Sequence, residues 1–135
     1  MMGVLARELI DELQAHTDAG AAVLALSGHL GAGKTSLVQA IARELGIEEK
    51  VGSPTFVLMK SYDTSHLFFK KLVHIDAYRV SEKEIGHLKL QGIFSRPHTL
   101  VCIEWAERLP SLLPSSALRL SLEAKEPQSR FVKKI

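Results

Sequence analysis

The sequence predicts a three-layer α/β fold with a mainly parallel central sheet and an antiparallel hairpin. Three observations predict it. The run Ala21-Ala22-Val23-Leu24-Ala25-Leu26 is short and continuously apolar, which suits a strand covered on both faces, as in a parallel sheet. A Gly-rich turn follows at once, and beyond it Leu37, Ile41 and Leu45 recur at helical spacing. Two later apolar runs, Leu72-Val73-His74-Ile75-Asp76 and Leu100-Val101-Cys102-Ile103-Glu104, each end in an acid.

The elements follow in order along the chain. Leu5, Leu9, Ile10 and Leu13 give an amphipathic first helix that ends near Thr17-Asp18-Ala19-Gly20. After the first strand and the Gly-rich turn, the second helix closes at Gly46, the residue type that best tolerates a left-handed cap. Thr55 to Tyr62 is a β-rich run, Asp63-Thr64-Ser65 reads as a turn, and Leu67 to Asp76 as the return strand of a hairpin. Ser81-Glu82-Lys83-Glu84 has the capping-box pattern and opens a short helix that Gly86 weakens. Pro97 precedes a strand from Thr99 to Ile103. Pro110 and Pro114 punctuate a loop after a short helical piece, and Ala117 to Leu122 and Arg130 to Ile135 read as closing strands. There is no internal repeat and no linker, so a single domain over 1–135 is expected.

Composition narrows the function classes. Apolar residues are 46% and charged residues 24%, the balance of a water-soluble globular protein. A net charge of +2 is too mild to argue for nucleic-acid binding by electrostatics alone. The lone Cys102 allows no intrachain disulfide and lies in an apolar run, where an inert buried thiol is expected. No apolar stretch approaches the roughly 20 residues that span a bilayer. The first residues lack the pattern of a secretory signal, so the expected compartment is the cytoplasm. His66, His74, His87 and His98 show no zinc-ligand spacing.

The chemistry concentrates in Gly28-His29-Leu30-Gly31-Ala32-Gly33-Lys34-Thr35, which matches the phosphate-binding loop at every required position. Glycines let successive backbone N–H groups turn inward onto phosphate oxygens, and the helix that follows adds the positive end of its dipole. Leu30, Gly31, Ala32, Gly33, Lys34, Thr35 and Ser36 are therefore the expected nucleotide contacts. Lys34 would reach the β- and γ-phosphates and Thr35 would ligate Mg²⁺. The fold expected is accordingly P-loop NTPase-like. Ligands in such sheets sit at the carboxyl ends of strands, where Asp76 and Glu104 are expected. One of the two would hold the metal and the other would orient or deprotonate the attacking water; periodicity does not say which. Arg79 is a candidate arginine finger in cis, with an ion pair as its alternative role.

The motifs Gly28 to Thr35, Ser53-Pro54-Thr55-Phe56, His74-Ile75-Asp76-Ala77-Tyr78-Arg79 and Ile103-Glu104-Trp105-Ala106-Glu107-Arg108 occur in that order. Together they resemble the TsaE (YjeE) family of bacterial ATPases from tRNA threonylcarbamoyladenosine biosynthesis, from about residue 20 to residue 122. The resemblance implies a weak Mg²⁺-dependent ATPase that works with a TsaB–TsaD pair in making t6A37, with ATP and Mg²⁺ as cofactors and tRNA as an indirect partner. It implies that Thr35 and Glu104 ligate magnesium and that Leu30 through Thr35 contact the ATP phosphates. Asp76 would be the second catalytic carboxylate, and Ser53 and Thr55 would lie in a switch-like segment. The chain departs from the family pattern at His29, where an acid is usual, at Pro127, near an expected ATP contact, and ahead of the first helix, where a base-holding segment is largely missing. The main rival is a small-molecule or nucleotide kinase, which uses the same loop but needs an Arg-rich lid; past Arg79 only Arg96 and Arg108 precede the closing strands.

Overall fold

The computed structural model describes residues 2–15, 20–29, 33–49, 51, 59–78, 90–125 and 129–134. Helix α1 (Met2–Ala15) is followed by strand β1 (Ala22–Ser27) and helix α2 (Lys34–Glu44). Strands β2 (Met59–Asp63) and β3 (Lys71–Asp76), helix α3 (Leu90–Phe94) and strand β4 (Thr99–Glu104) come next. A single 3-10 turn over Ala106–Arg108 leads to β5 (Leu118–Lys125) and β6 (Ser129–Lys134). The six strands form one sheet in the order β2-β3-β4-β1-β5-β6. Strands β3, β4, β1 and β5 run parallel, while β2 and β6 pair antiparallel at the two edges.

Alternation along the central strands divides the core into two layers. Leu24, Leu26, Leu72, Leu100 and Cys102 face α1 and α2, where Leu9, Ile10, Leu37 and Ile41 meet them. Val23, Ala25, Val73, Ile75, Val101 and Ile103 face the other way, onto Leu90, Ile93 and Phe94 of α3 and onto Leu109. Burying one such side chain contributes about 1.5–3 kcal/mol, so β1 and β4, apolar on both faces, are the strands water is least able to reach. Both lie in the middle of the sheet.

Helix α2 ends as its sequence suggests. Gly46 adopts φ +80°, its N–H donates to the Arg43 carbonyl, and the Ile47 N–H donates to the Ala42 carbonyl. This is a Schellman closure, with Ile47 and Ala42 both in the core.

Several boundaries differ from expectation, each for a local reason. Asp63 is the last residue of β2 rather than the start of a turn, because it pairs across the hairpin with Lys71, 2.5 Å between their charged atoms. The return strand begins at Lys71, not Leu67. In the intervening loop the Thr64 hydroxyl binds the Phe69 carbonyl, and His66 Nδ1 accepts N–H bonds from Phe68 and Phe69 at 3.1 and 3.0 Å. Strand β4 extends to Glu104, which pairs with both Leu26 and Asp76. The closing strands add a second antiparallel pair. The first helix is described as far as Ala15, and its expected end at Thr17-Asp18-Ala19 lies outside the described residues. The capping box at Ser81–Glu84, Arg79, Ser53, Thr55 and Pro127 lie outside the described residues. Among the described residues, no helix is long and apolar enough to cross a membrane.

Candidate functional site

The strands that follow β1 in the chain lie on one side of it as far as β4, and β5 and β6 lie on the other. The carboxyl end of β1 is therefore a topological switch point, the place where open α/β sheets bind ligands. Ser27 ends β1 there and α2 starts at Lys34. Gly33 caps that helix with φ 102° and ψ 15°, a conformation that a side chain would strain.

Lys34 is 5% exposed. Its Nζ donates to the carbonyl oxygens of Gly28 and, at 3.0 Å, His29, and lies 3.9 Å from the centre of the Trp105 ring. Burial lowers its pKa below the usual lysine value, against the opposing pull of Glu107, Glu104 and Asp76. The ammonium is thus folded back onto the loop's own oxygens. Glu107 closes the same loop from outside, its carboxylate accepting the Gly28 N–H at 3.3 Å.

Glu104 is 2% exposed, and both of its oxygens are engaged. Oε1 accepts the Thr35 hydroxyl at 2.8 Å, and Oε2 lies 2.5 Å from His74 Nε2. Removing a carboxylate from water costs several kcal/mol, and hydrogen bonds to a charged group return about 1.5–3 kcal/mol each. Both contacts are therefore needed to hold the acid where it is. Leu72, His74 and Asp76 of β3 and Leu100, Cys102 and Glu104 of β4 alternate onto the face that carries α2, which is why the first turn of α2 meets Glu104. Asp76 is directly opposite Glu104 in register and is half-buried. Its Oδ1 accepts the Tyr78 N–H at 2.9 Å. Burial raises its pKa, partly offset by that N–H; Glu104 adds to the rise and His74 and Lys34 oppose it.

The β4 carboxyl end carries a further outlier. Trp105 holds φ 59° and ψ 39°, a left-handed conformation that costs a non-glycine residue about 1–2 kcal/mol. Its ring packs 4.7 Å from that of Tyr78, and the Arg108 guanidinium lies 5.4 Å from the Tyr78 ring. Backbone strain of this kind persists where surrounding contacts over-determine the position.

A hydroxyl, a buried carboxylate and a second acid at the mouth of a helix N-terminus form an oxygen donor set that fits Mg²⁺, which takes one or two carboxylates and completes its shell with phosphate oxygens and water. Among the described residues no three His, Cys, Asp or Glu gather to hold a metal by themselves, so the ion would need the phosphates.

The family model "Threonylcarbamoyl adenosine biosynthesis protein TsaE" matches residues 3–132. The chain belongs to the TsaE family. A TsaE protein of Nostoc is 39% identical over 112 residues, 80% of this chain and 66% of that protein. Another, from Synechocystis, is 39% identical over 93 residues, 67% of this chain and 57% of that protein. The chain thus spans about two thirds or less of the length of these relatives. The crystal structure of Bacillus subtilis YdiB superposes with a TM-score of 0.72 at 27% identity, covering 98% of this chain and 76% of that one.

Against the TsaE family expectation, Gly33, Lys34 and Thr35 lie at the helix start, with Ser36 exposed beside them. Glu104 meets Thr35, and Asp76 lies one strand further out. Leu30, Gly31 and Ala32 lie outside the described residues. Sequence reasoning missed three features: His74 as the partner of Glu104, Glu107 as the acceptor for Gly28, and the left-handed Trp105. A polar ring two residues before an acid in a buried strand was the available signal for the first. The other two depend on how the chain turns after β4.

Proposed function

We propose that this chain binds ATP with Mg²⁺ at the turn between β1 and α2 and hydrolyses it slowly, as the cytoplasmic ATPase subunit that acts with TsaB and TsaD in t6A modification of tRNA. The observation that carries the reading is the Thr35–Glu104 contact of 2.8 Å. It joins the first turn of α2 to the end of the neighbouring β4, the arrangement in which a P-loop hydroxyl and an acid share one metal ion. The family supplies the pathway, since its members are named for threonylcarbamoyl adenosine biosynthesis.

The residues divide the work as follows. Backbone N–H groups from Leu30 to Ser36 and the α2 dipole take the phosphates. Lys34 leaves the Gly28 and His29 carbonyls and turns to the β- and γ-phosphate oxygens. Thr35 and Glu104 would hold a magnesium ion, with Asp76 beside them, and the ion would supply charge neutralisation on the phosphates. Asp76, whose burial raises its proton affinity, aligns the attacking water and takes up its proton, the behaviour expected of a base tuned toward working pH.

The test is hydrolysis and binding measured side by side. Lys34→Ala is expected to lose ATP binding. Glu104→Ala and Asp76→Ala are expected to keep binding and to lose turnover by about 10²-fold or more, the scale of a general acid–base or positioning group. Normal turnover in both carboxylate variants would remove the proposed chemistry. Association with purified TsaB and TsaD tests the partnership; failure to bind them with or without ATP would remove that part alone.

A further inference from the structure

His74 is a buried polar side chain of the central sheet to which the mechanism above assigns no task. It is completely buried, one residue from the middle of β3, opposite Cys102 of β4. A leucine within Leu72-Val73-His74-Ile75 would pack without taking ring nitrogens out of water. The ring's hydrogen bond is the one to Glu104, Nε2 to Oε2 at 2.5 Å, and among the described residues Nδ1 has no partner.

The 2.5 Å contact needs a hydrogen between Nε2 and Oε2, since two bare acceptors would repel each other. With that hydrogen on the ring, His74 donates to one carboxylate oxygen of Glu104 and leaves the other to the Thr35 hydroxyl.

We propose that His74 is a positioning residue for magnesium: it locks the Glu104 carboxylate in the orientation that, with the Thr35 hydroxyl, receives the ion. This rests on the reading of Glu104 as a metal-holding acid. Groups that orient metal ligands in this way are worth roughly ten- to hundredfold in metal affinity.

The experiment compares the wild-type protein with His74→Leu and His74→Gln. Calorimetry measures ATP binding with EDTA and with graded Mg²⁺, and hydrolysis gives the Mg²⁺ concentration at half-maximal rate. His74→Leu is expected to bind metal-free ATP within twofold of wild type yet to need roughly ten- to hundredfold more Mg²⁺. His74→Gln, which restores an N–H donor, is expected to recover most of that loss. An unchanged Mg²⁺ requirement in His74→Leu, or a parallel loss of metal-free ATP binding, would overturn the assignment. Should His74→Leu fail to fold, imidazole ¹⁵N spectra of the wild-type protein still decide it, since an Nε2 of His74 that carries no hydrogen contradicts its donation to Glu104. A wild-type protein without Mg²⁺-dependent ATP binding would overturn the site reading itself; a Mg²⁺-dependent wild type beside an unaffected His74→Leu overturns the role of His74 alone.

Discussion

Lys34 carries the local conflict of the site. Its ammonium is nearly excluded from water, and burial lowers its proton affinity, yet it is held by two carbonyl oxygens that a phosphate would outcompete with full negative charge. Trp105, the one tryptophan of the chain, sits 3.9 Å from that ammonium. If Lys34 turns to the nucleotide, the ring loses its cation, so tryptophan emission is expected to change saturably with ATP; an emission spectrum unmoved at saturating ATP contradicts the movement. Asp76 gives the second residue-scale expectation. Its pKa is raised in the folded chain, so folding takes up a proton between the ordinary carboxylate value and the raised one, and the stability of the nucleotide-free protein falls as pH climbs through that window. Asp76→Asn is expected to match wild type in stability near pH 4 and to exceed it at pH 7, read as Tm; a variant less stable at pH 7 would contradict the desolvation account. Lys34, Thr35, Asp76 and Glu104 were legible in the sequence because a fixed-spacing motif and two strand ends mark them. His74, Glu107 and the backbone of Trp105 were not, because their meaning comes from contacts between strands and turns rather than from spacing along one.

At the scale of elements, period and caps were legible and loop geometry was not. The Leu67-Phe68-Phe69 run reads as strand, yet the side chains of Thr64 and His66 capture the local backbone and delay β3 until Lys71. The end of α2 is the opposite case: Gly46 marks it in the sequence and holds φ +80° in the structure. A Cβ there would also come 2.0 Å from the Ser65 hydroxyl oxygen, a side chain that can rotate away, so the backbone sets most of the cost. Gly46→Ala is expected to destabilise by about 1–2 kcal/mol in urea unfolding with ATP affinity unchanged. A loss below about 0.3 kcal/mol would mean that the left-handed cap contributes little.

For the whole molecule, the parallel α/β class followed from apolar runs separated by helical periodicity, but the strand order did not. Which acid meets Thr35 depends on β4, rather than β3, lying next to β1, a non-local pairing that neither strand's own residues encode. That order converts two equivalent acids into two distinct ones: Glu104 buried and hydrogen-bonded at the helix start, Asp76 one strand out and half-exposed to the mouth. It also sets Lys34, the Thr35 hydroxyl and both carboxylates at one end of the sheet. The most direct measurement is calorimetric titration of MgATP into the wild-type protein and into Lys34→Ala. Saturable one-site binding by the wild type and at least about a 100-fold loss in the variant, close to 2.7 kcal/mol, is the expected result. Absence of binding by the wild type, or equal affinity in both proteins, would contradict the account.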